Sequence, residues 1–262
     1  MLVLVNTRPS PNGSKLWVQG PLGYGSLDRD DPNRYNHTGP YLYRKTQEGS
    51  LKKHILCLGD SNTHGYCADP RDTADGTDRY NEDERWTCRL QRALGDAYLI
   101  LEEGLSGRTT VFVDALHESM DALSVAYPTL MAHEPVDLLV IMLGTNDTKE
   151  RFGVGAPGIA VGMERLIKKC KSVECWGKHA PNILIVCPPP IEEPFLDIVM
   201  GNGCVKKSEE LAQYLAPVAE RNGCHFFDAK GCEFNGIDHM HLSRKGHAQL
   251  AEKLAALIPT LV

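Results

Sequence analysis

Five short apolar runs limit what this chain can fold into. Ile55 to Leu58, Tyr98 to Leu101, Leu138 to Leu143, Ile183 to Val186 and, more weakly, His225 to Phe227 are strand-like. Amphipathic stretches of helical length separate or follow them: Arg85 to Leu94, Asp121 to Ala132, Ile159 to Lys171, Lys206 to Arg221 and Ser243 to Leu257. In the last of these, Ser243 is placed to cap the helix and Leu250, Leu254 and Leu257 recur at helical spacing. Strands alternating with helices imply a parallel sheet covered on both faces. The expected fold is therefore α/β, a three-layer α/β/α sandwich with about five parallel strands and a ligand crevice at their carboxyl ends.

At 262 residues and 42% hydrophobic content the chain can bury one sizeable core, and nothing in the pattern demands two. Residues 1–50 differ from the remainder of the chain. Prolines and glycines interleave there, neither helical nor strand periodicity persists, and the segment reads as an N-terminal extension or arm, with residues 51–262 as the domain proper. The formal net charge of −6, without a long Lys/Arg cluster, offers no footprint for nucleic acid or an anionic membrane. Met1 to Val5 is too short an apolar run for a signal-peptide core or a membrane span. Nine cysteines, scattered without Cys-x-x-Cys spacing, fit free thiols in a reducing compartment better than disulfides or structural zinc. A soluble cytoplasmic protein, with no metal and no cofactor, is expected.

Polar clusters occupy three strand ends and one late loop. They are Gly59-Asp60-Ser61, Gly104-Leu105-Ser106-Gly107-Arg108-Thr109-Thr110, Gly144-Thr145-Asn146-Asp147 and Asp238-His239-Met240-His241. Each alone has a plain reading: a turn serine, an Asx turn, loop punctuation, a loop histidine. Together they supply what acyl transfer requires. A serine hydroxyl needs a neutral imidazole to take its proton and a carboxylate to hold that imidazole in one tautomer. Asp238 and His241, three residues apart in a turn, can point the same way, which favours His241 over His239 as the base. The N–H of Ser61, the N–H of Gly107 and the side-chain amide of Asn146 could donate to an oxyanion.

These clusters resemble the four signature blocks of the SGNH (GDSL) hydrolase superfamily. The fuller strings Ile55 to Ser61, Glu102 to Thr110 and Ile141 to Lys149 are similar to its bacterial arylesterase/acyltransferase branch. The resemblance covers about Leu51 to Val262 and departs from that branch at His64, where a tryptophan is expected. It implies a flavodoxin-like SGNH hydrolase fold and a serine esterase acting on short-chain, acetyl-type esters through an acyl-serine intermediate. It further implies possible transfer to alcohols, a small-molecule ester substrate and a homo-oligomer. The catalytic residues would be Ser61, Asp238 and His241, with Ser61, Gly107 and Asn146 forming the oxyanion hole. A carbohydrate O-deacetylase, thioesterase or lysophospholipase on the same scaffold is the alternative. A non-catalytic doubly wound binding module is a further one, disfavoured because no Gly-x-Gly-x-x-Gly or Gly-x-x-x-x-Gly-Lys loop is present to cradle a phosphate. Three lesser expectations accompany these: Asp60 and Asp147 brace loops, His247 and Lys245 lie on a solvated helix face, and Asp69 to Glu84 is a mobile loop that could act as a lid or an oligomer contact.

Overall fold

The computed structural model describes residues 15–20, 23–28, 51–118 and 120–262. Contacts divide the chain into two units, Met1–Gly49 and Ser50–Val262. In the first, strands β1 (Lys15–Gly20) and β2 (Gly23–Asp28) pair antiparallel, with Trp17 opposite Ser26 and Val18 opposite Gly25. No strand periodicity marks this ladder in the sequence, because a two-stranded ladder is closed by main-chain hydrogen bonds and needs no alternating apolar pattern to mark it. The rest of the expected arm, residues 1–14, 21–22 and 29–50, lies outside the described residues.

The second unit is built on five parallel strands, β3 (Lys53–Gly59), β4 (Tyr98–Gly104), β5 (Leu138–Met142), β6 (Ile183–Cys187) and β7 (His225–Asp228), in the order β4-β3-β5-β6-β7. The one-turn helix α1 (Ser61–His64) follows β3 directly. The longer helices are α2 (Trp86–Leu94), α3 (Ala122–Ala132), α4 (Ala156–Lys171), α5 (Cys204–Arg221) and α6 (Arg244–Leu257). Period-two alternation assigns the side chains of the central strands to two cores. Leu56, Leu58, Leu139, Ile141, Ile183 and Ile185 pack with residues of α3, α4 and α5, while Ile55, Cys57, Leu138, Val140, Leu184 and Val186 pack with residues of α2 and α6. With both faces covered, the strands can be apolar at every position, and each fully buried Leu or Ile contributes roughly 1.5–3 kcal/mol.

Helix starts follow local chemistry. The Ser243 hydroxyl accepts the Gly246 N–H at 3.1 Å at the head of α6, and the Asp121 carboxylate accepts the Ser124 N–H at 2.8 Å at the head of α3. Pro157 in the first turn lets α4 begin at Ala156, before its apolar periodicity becomes visible. The chain leaves β3 for β4 on one side of the sheet and returns to β5 on the other, so direction reverses between β3 and β5. That reversal opens a crevice beyond the strands' carboxyl ends. Gly59 is in register with both Gly104 and Met142, so the loops after three neighbouring strands start from one level.

Candidate active site

The turn after β3 is fixed by its own backbone. The Asp60 carbonyl accepts the N–H groups of Thr63 (3.1 Å) and His64 (2.8 Å), and its carboxylate accepts the Asn62 N–H at 3.0 Å. This caps α1 and places Ser61 at its first position, 7% exposed. The turn lies hard against the end of β4: a Cβ on Gly104 would stand 2.2 Å from the His64 nitrogen, so only glycine fits.

The loop before α6 is organised by Asn235 and Asp238. Asn235 accepts the N–H groups of Ile237 (2.9 Å) and Asp238 (3.0 Å) and donates to Asp238 Oδ1 (2.9 Å) and the His241 carbonyl (2.8 Å). Asp238 Oδ1 also accepts the N–H groups of Met240 and His241, each at 3.0 Å. Its Oδ2 lies 2.6 Å from His241 Nδ1, and His241 Nε2 lies 2.8 Å from Ser61 Oγ, across 180 residues of chain. Burial raises the Asp238 pKa, but the His241 hydrogen bond and charge and the two N–H groups outweigh it and hold it at about 2. An ionised Asp238 accepts from Nδ1–H, which leaves Nε2 with a lone pair facing the serine hydroxyl. The Tyr66 ring packs edge-on against this imidazole, centroids 4.6 Å apart. His239 adopts a left-handed backbone conformation, φ +55°, and among the described residues no contact joins it to Ser61.

The third and fourth clusters approach from the β4 and β5 ends. Gly107 has φ +91°, which favours glycine, and the Arg108 guanidinium pins its loop by donating to the carbonyls of Gly59 (3.1 Å) and Glu103. Asn146 Nδ2 donates to Asp60 Oδ2 at 3.4 Å, and the Asp147 carboxylate accepts the Thr110 N–H (3.0 Å) and hydroxyl. Asp60 and Asp147 therefore tie the three strand-end loops together, and burial pushes both carboxyls up to about 6 despite those hydrogen bonds. Farther along, Asp114 accepts from Arg151 Nη2 (2.5 Å) and Nε (3.2 Å), which hold it well below the usual carboxylate range. Among the described residues, no acceptor lies on the N–H of Ser61 or of Gly107.

Two sequence expectations need correction. His247 is fully buried on α6, beside Leu250 and Ala251 at helical spacing. Its Nδ1 accepts the Trp86 N–H at 3.2 Å, and burial, with the charges of Arg89, His241 and Arg85, lowers its pKa to about 3. The segment from Asp69 to Glu84 is fastened rather than lid-like. Cys67 and Tyr80 donate main-chain bonds to Asp78 and Gly65 (each 2.8 Å), the Tyr80 hydroxyl donates to Asp72 (2.6 Å), and Asp72 also accepts the Arg244 N–H (2.8 Å). Sequence reading also passed over Asn62, Arg108 and Asn235 as site residues. Only Asn235 left a trace, its three-residue spacing from Asp238. All nine cysteines are free, and among the described residues no group of His, Cys, Asp and Glu is arranged to hold a metal ion.

The same architecture occurs in known esterases. The chain is 34% identical to the aryl esterase of M. smegmatis, with 80% of this chain and 100% of that one covered and a TM-score of 0.72. It is 35% identical to a carbohydrate acetylesterase from Sinorhizobium meliloti, with the same coverage and TM-score. No curated protein matches it. Fold and relatives together define a carboxylic ester hydrolase. The chain belongs to the GDSL-like lipase/acylhydrolase family, which it matches over residues 57–249.

Proposed function

We propose that the unit from residue 51 to 262 is a serine esterase for short-chain, acetyl-type esters, with Ser61 as nucleophile, His241 as base and Asp238 as its orienter. The unbroken relay of 2.6 and 2.8 Å from Asp238 through His241 to Ser61 carries this reading. His241 Nε2 takes the hydroxyl proton as Ser61 Oγ bonds to the ester carbonyl carbon. The tetrahedral intermediate collapses, the alkoxide leaves with the proton from the imidazolium, and an acyl-serine remains. Water, deprotonated by the same Nε2, then attacks and releases the carboxylate; an alcohol in its place completes acyl transfer. The N–H groups of Ser61 and Gly107 and the Asn146 amide serve as oxyanion donors. Support comes from the two N–H groups without acceptors and from the bond to Asp60 that orients Asn146.

A carbohydrate O-deacetylase is the second reading, favoured by the S. meliloti relative. Comparing aryl acetates with acetylated sugars separates the two. The full chain is proposed to be cytoplasmic and homo-oligomeric. Free thiols suit a reducing compartment, and the exposed Val113, Leu116, Leu196 and Ile198 suit a subunit contact. Among the described residues no helix is long and apolar enough to cross a membrane. Incubation with a fluorophosphonate followed by peptide mass mapping tests the mechanism: a single adduct on Ser61 is expected, and Ser61→Ala abolishes both adduct and turnover. An unlabelled, folded wild-type protein overturns it.

A further inference from the structure

Serine and histidine come from segments 180 residues apart, so their separation depends on what joins those segments. Between residues 59–65 and 235–243, the described hydrogen bonds besides the Ser61–His241 contact belong to one side chain. Asn62 Nδ2 donates to the Met240 carbonyl at 3.3 Å, and Asn62 Oδ1 accepts the Leu242 N–H at 2.8 Å. The amide thus brackets His241 by the carbonyl before it and the N–H after it, as a residue of a neighbouring parallel strand would. Asn62 is 1% exposed and its main chain is held as well, its N–H by Asp60 (3.0 Å) and its carbonyl by the Trp86 indole (3.1 Å). Trp86 in turn donates its main-chain N–H to His247 on α6, the helix that continues the base loop.

A capping role does not explain this side chain. The cap of α1 is Asp60, and the Asn62 amide points away from its own turn to a distant loop. We propose that Asn62 is a positioning residue that sets the distance and angle between Ser61 Oγ and His241 Nε2, a role that rests on the reading of those two as nucleophile and base. Its amide offers both a donor and an acceptor on one planar group, which an apolar or shorter residue cannot match. Without it, two main-chain groups flanking the base lose their partners, and among the described hydrogen bonds only the reacting one still joins residues 59–65 to residues 235–243.

The test uses Asn62→Leu, which removes both bonds, and Asn62→Asp, which keeps an acceptor for Leu242 but gives no donor to Met240 when ionised. Active sites are counted by saturating fluorophosphonate labelling, and per labelled site kcat and KM toward 4-nitrophenyl acetate and the labelling rate are compared with wild type. Asn62→Leu is expected to lower kcat and the labelling rate about 10–10²-fold with KM within about threefold, and Asn62→Asp to fall between, since small misplacements of reacting groups cost on this scale. A structural role alone would lower the melting temperature and leave these per-site rates intact. Folded Asn62→Leu with kcat and labelling rate near wild type overturns the proposal, and should that variant not fold, Asn62→Asp decides on the same criteria. Wild-type protein that takes no label at Ser61 sinks the nucleophile reading and this proposal with it, whereas labelled wild type with unaffected variants sinks only the strut.

Discussion

The two sides of the site hold their carboxylates in opposite ways. On the base side, the Asp238 side chain is 24% exposed and surrounded by donors, and it stays ionised down to about pH 2. On the side of the proposed oxyanion donors, Asp60 and Asp147 are buried at 1% and 0% exposure, and loss of hydration pushes them up to about 6. One carboxylate must stay charged to orient an imidazole. The other two bind loops together, a task that neutral carboxyls can also perform in part. Mild acid should therefore protonate Asp60 and Asp147 long before it reaches the Asp238–His241 bond.

The sharpest way to break this division is on the base side. With His241 as the proposed base, His241→Ala should lower kcat by about 10⁴–10⁶-fold, the loss seen when one member of a catalytic unit is removed. Substantial turnover in that variant would remove His241 from the mechanism. On the proposed oxyanion side Asn146→Ala should cost about 10²–10³-fold in kcat, because one of the three proposed donors is lost while the relay stays whole. Equal losses in the two variants would mean that the sides do not act separately.

What the sequence reveals divides along the same physical line. The parallel strands were legible because burial on both faces makes them continuous apolar runs, as in Ile55 to Leu58 and Ile183 to Val186. The polar clusters stood out because they interrupt those runs at the strand ends. Asn62 and Asn235 did not, because most of their partners are main-chain atoms, which carry no residue type, and those of Asn62 lie 178 and 180 residues away. The burial of His247 could have been inferred from its spacing to Leu250 and Ala251, but a histidine on an amphipathic helix is more readily taken for its polar face. The Asp69 to Glu84 segment misled for a related reason: most of its charged residues are exposed, yet Asp72, Glu84 and Arg79 hydrogen-bond to the Tyr80 hydroxyl, the Ala74 N–H and the His64 carbonyl and so fasten it.

Titration sharpens the comparison at smaller scale. Asp147 has a folded-state pKa of about 6, raised from 3.8. Its contribution to stability is fully present below the unfolded value, where it is protonated in both states, and is lost as pH rises through about 6. Asp147→Asn removes that titration. The stability of the variant relative to wild type should therefore improve by about 2–3 kcal/mol between pH 4 and pH 8, read from denaturant midpoints at each pH. A difference that stays flat, or moves the other way, would show that the Thr110 hydrogen bonds outweigh the desolvation of Asp147.

The smallest effect belongs to His239, the histidine that shares a loop with the base and has no place in the relay. Its φ of +55° is costly for a side chain with a Cβ, by roughly 1–2 kcal/mol, and glycine would relieve that strain while adding about 0.5–1 kcal/mol of chain entropy to the unfolded state. The two nearly cancel. His239→Gly should accordingly hold kcat within about twofold and shift stability by no more than about 1 kcal/mol, because Asn235 and Asp238, not the His239 side chain, hold His241 in place. A tenfold loss of kcat at unchanged stability would transfer a share of the chemistry to His239, and the base side could no longer be described by one imidazole.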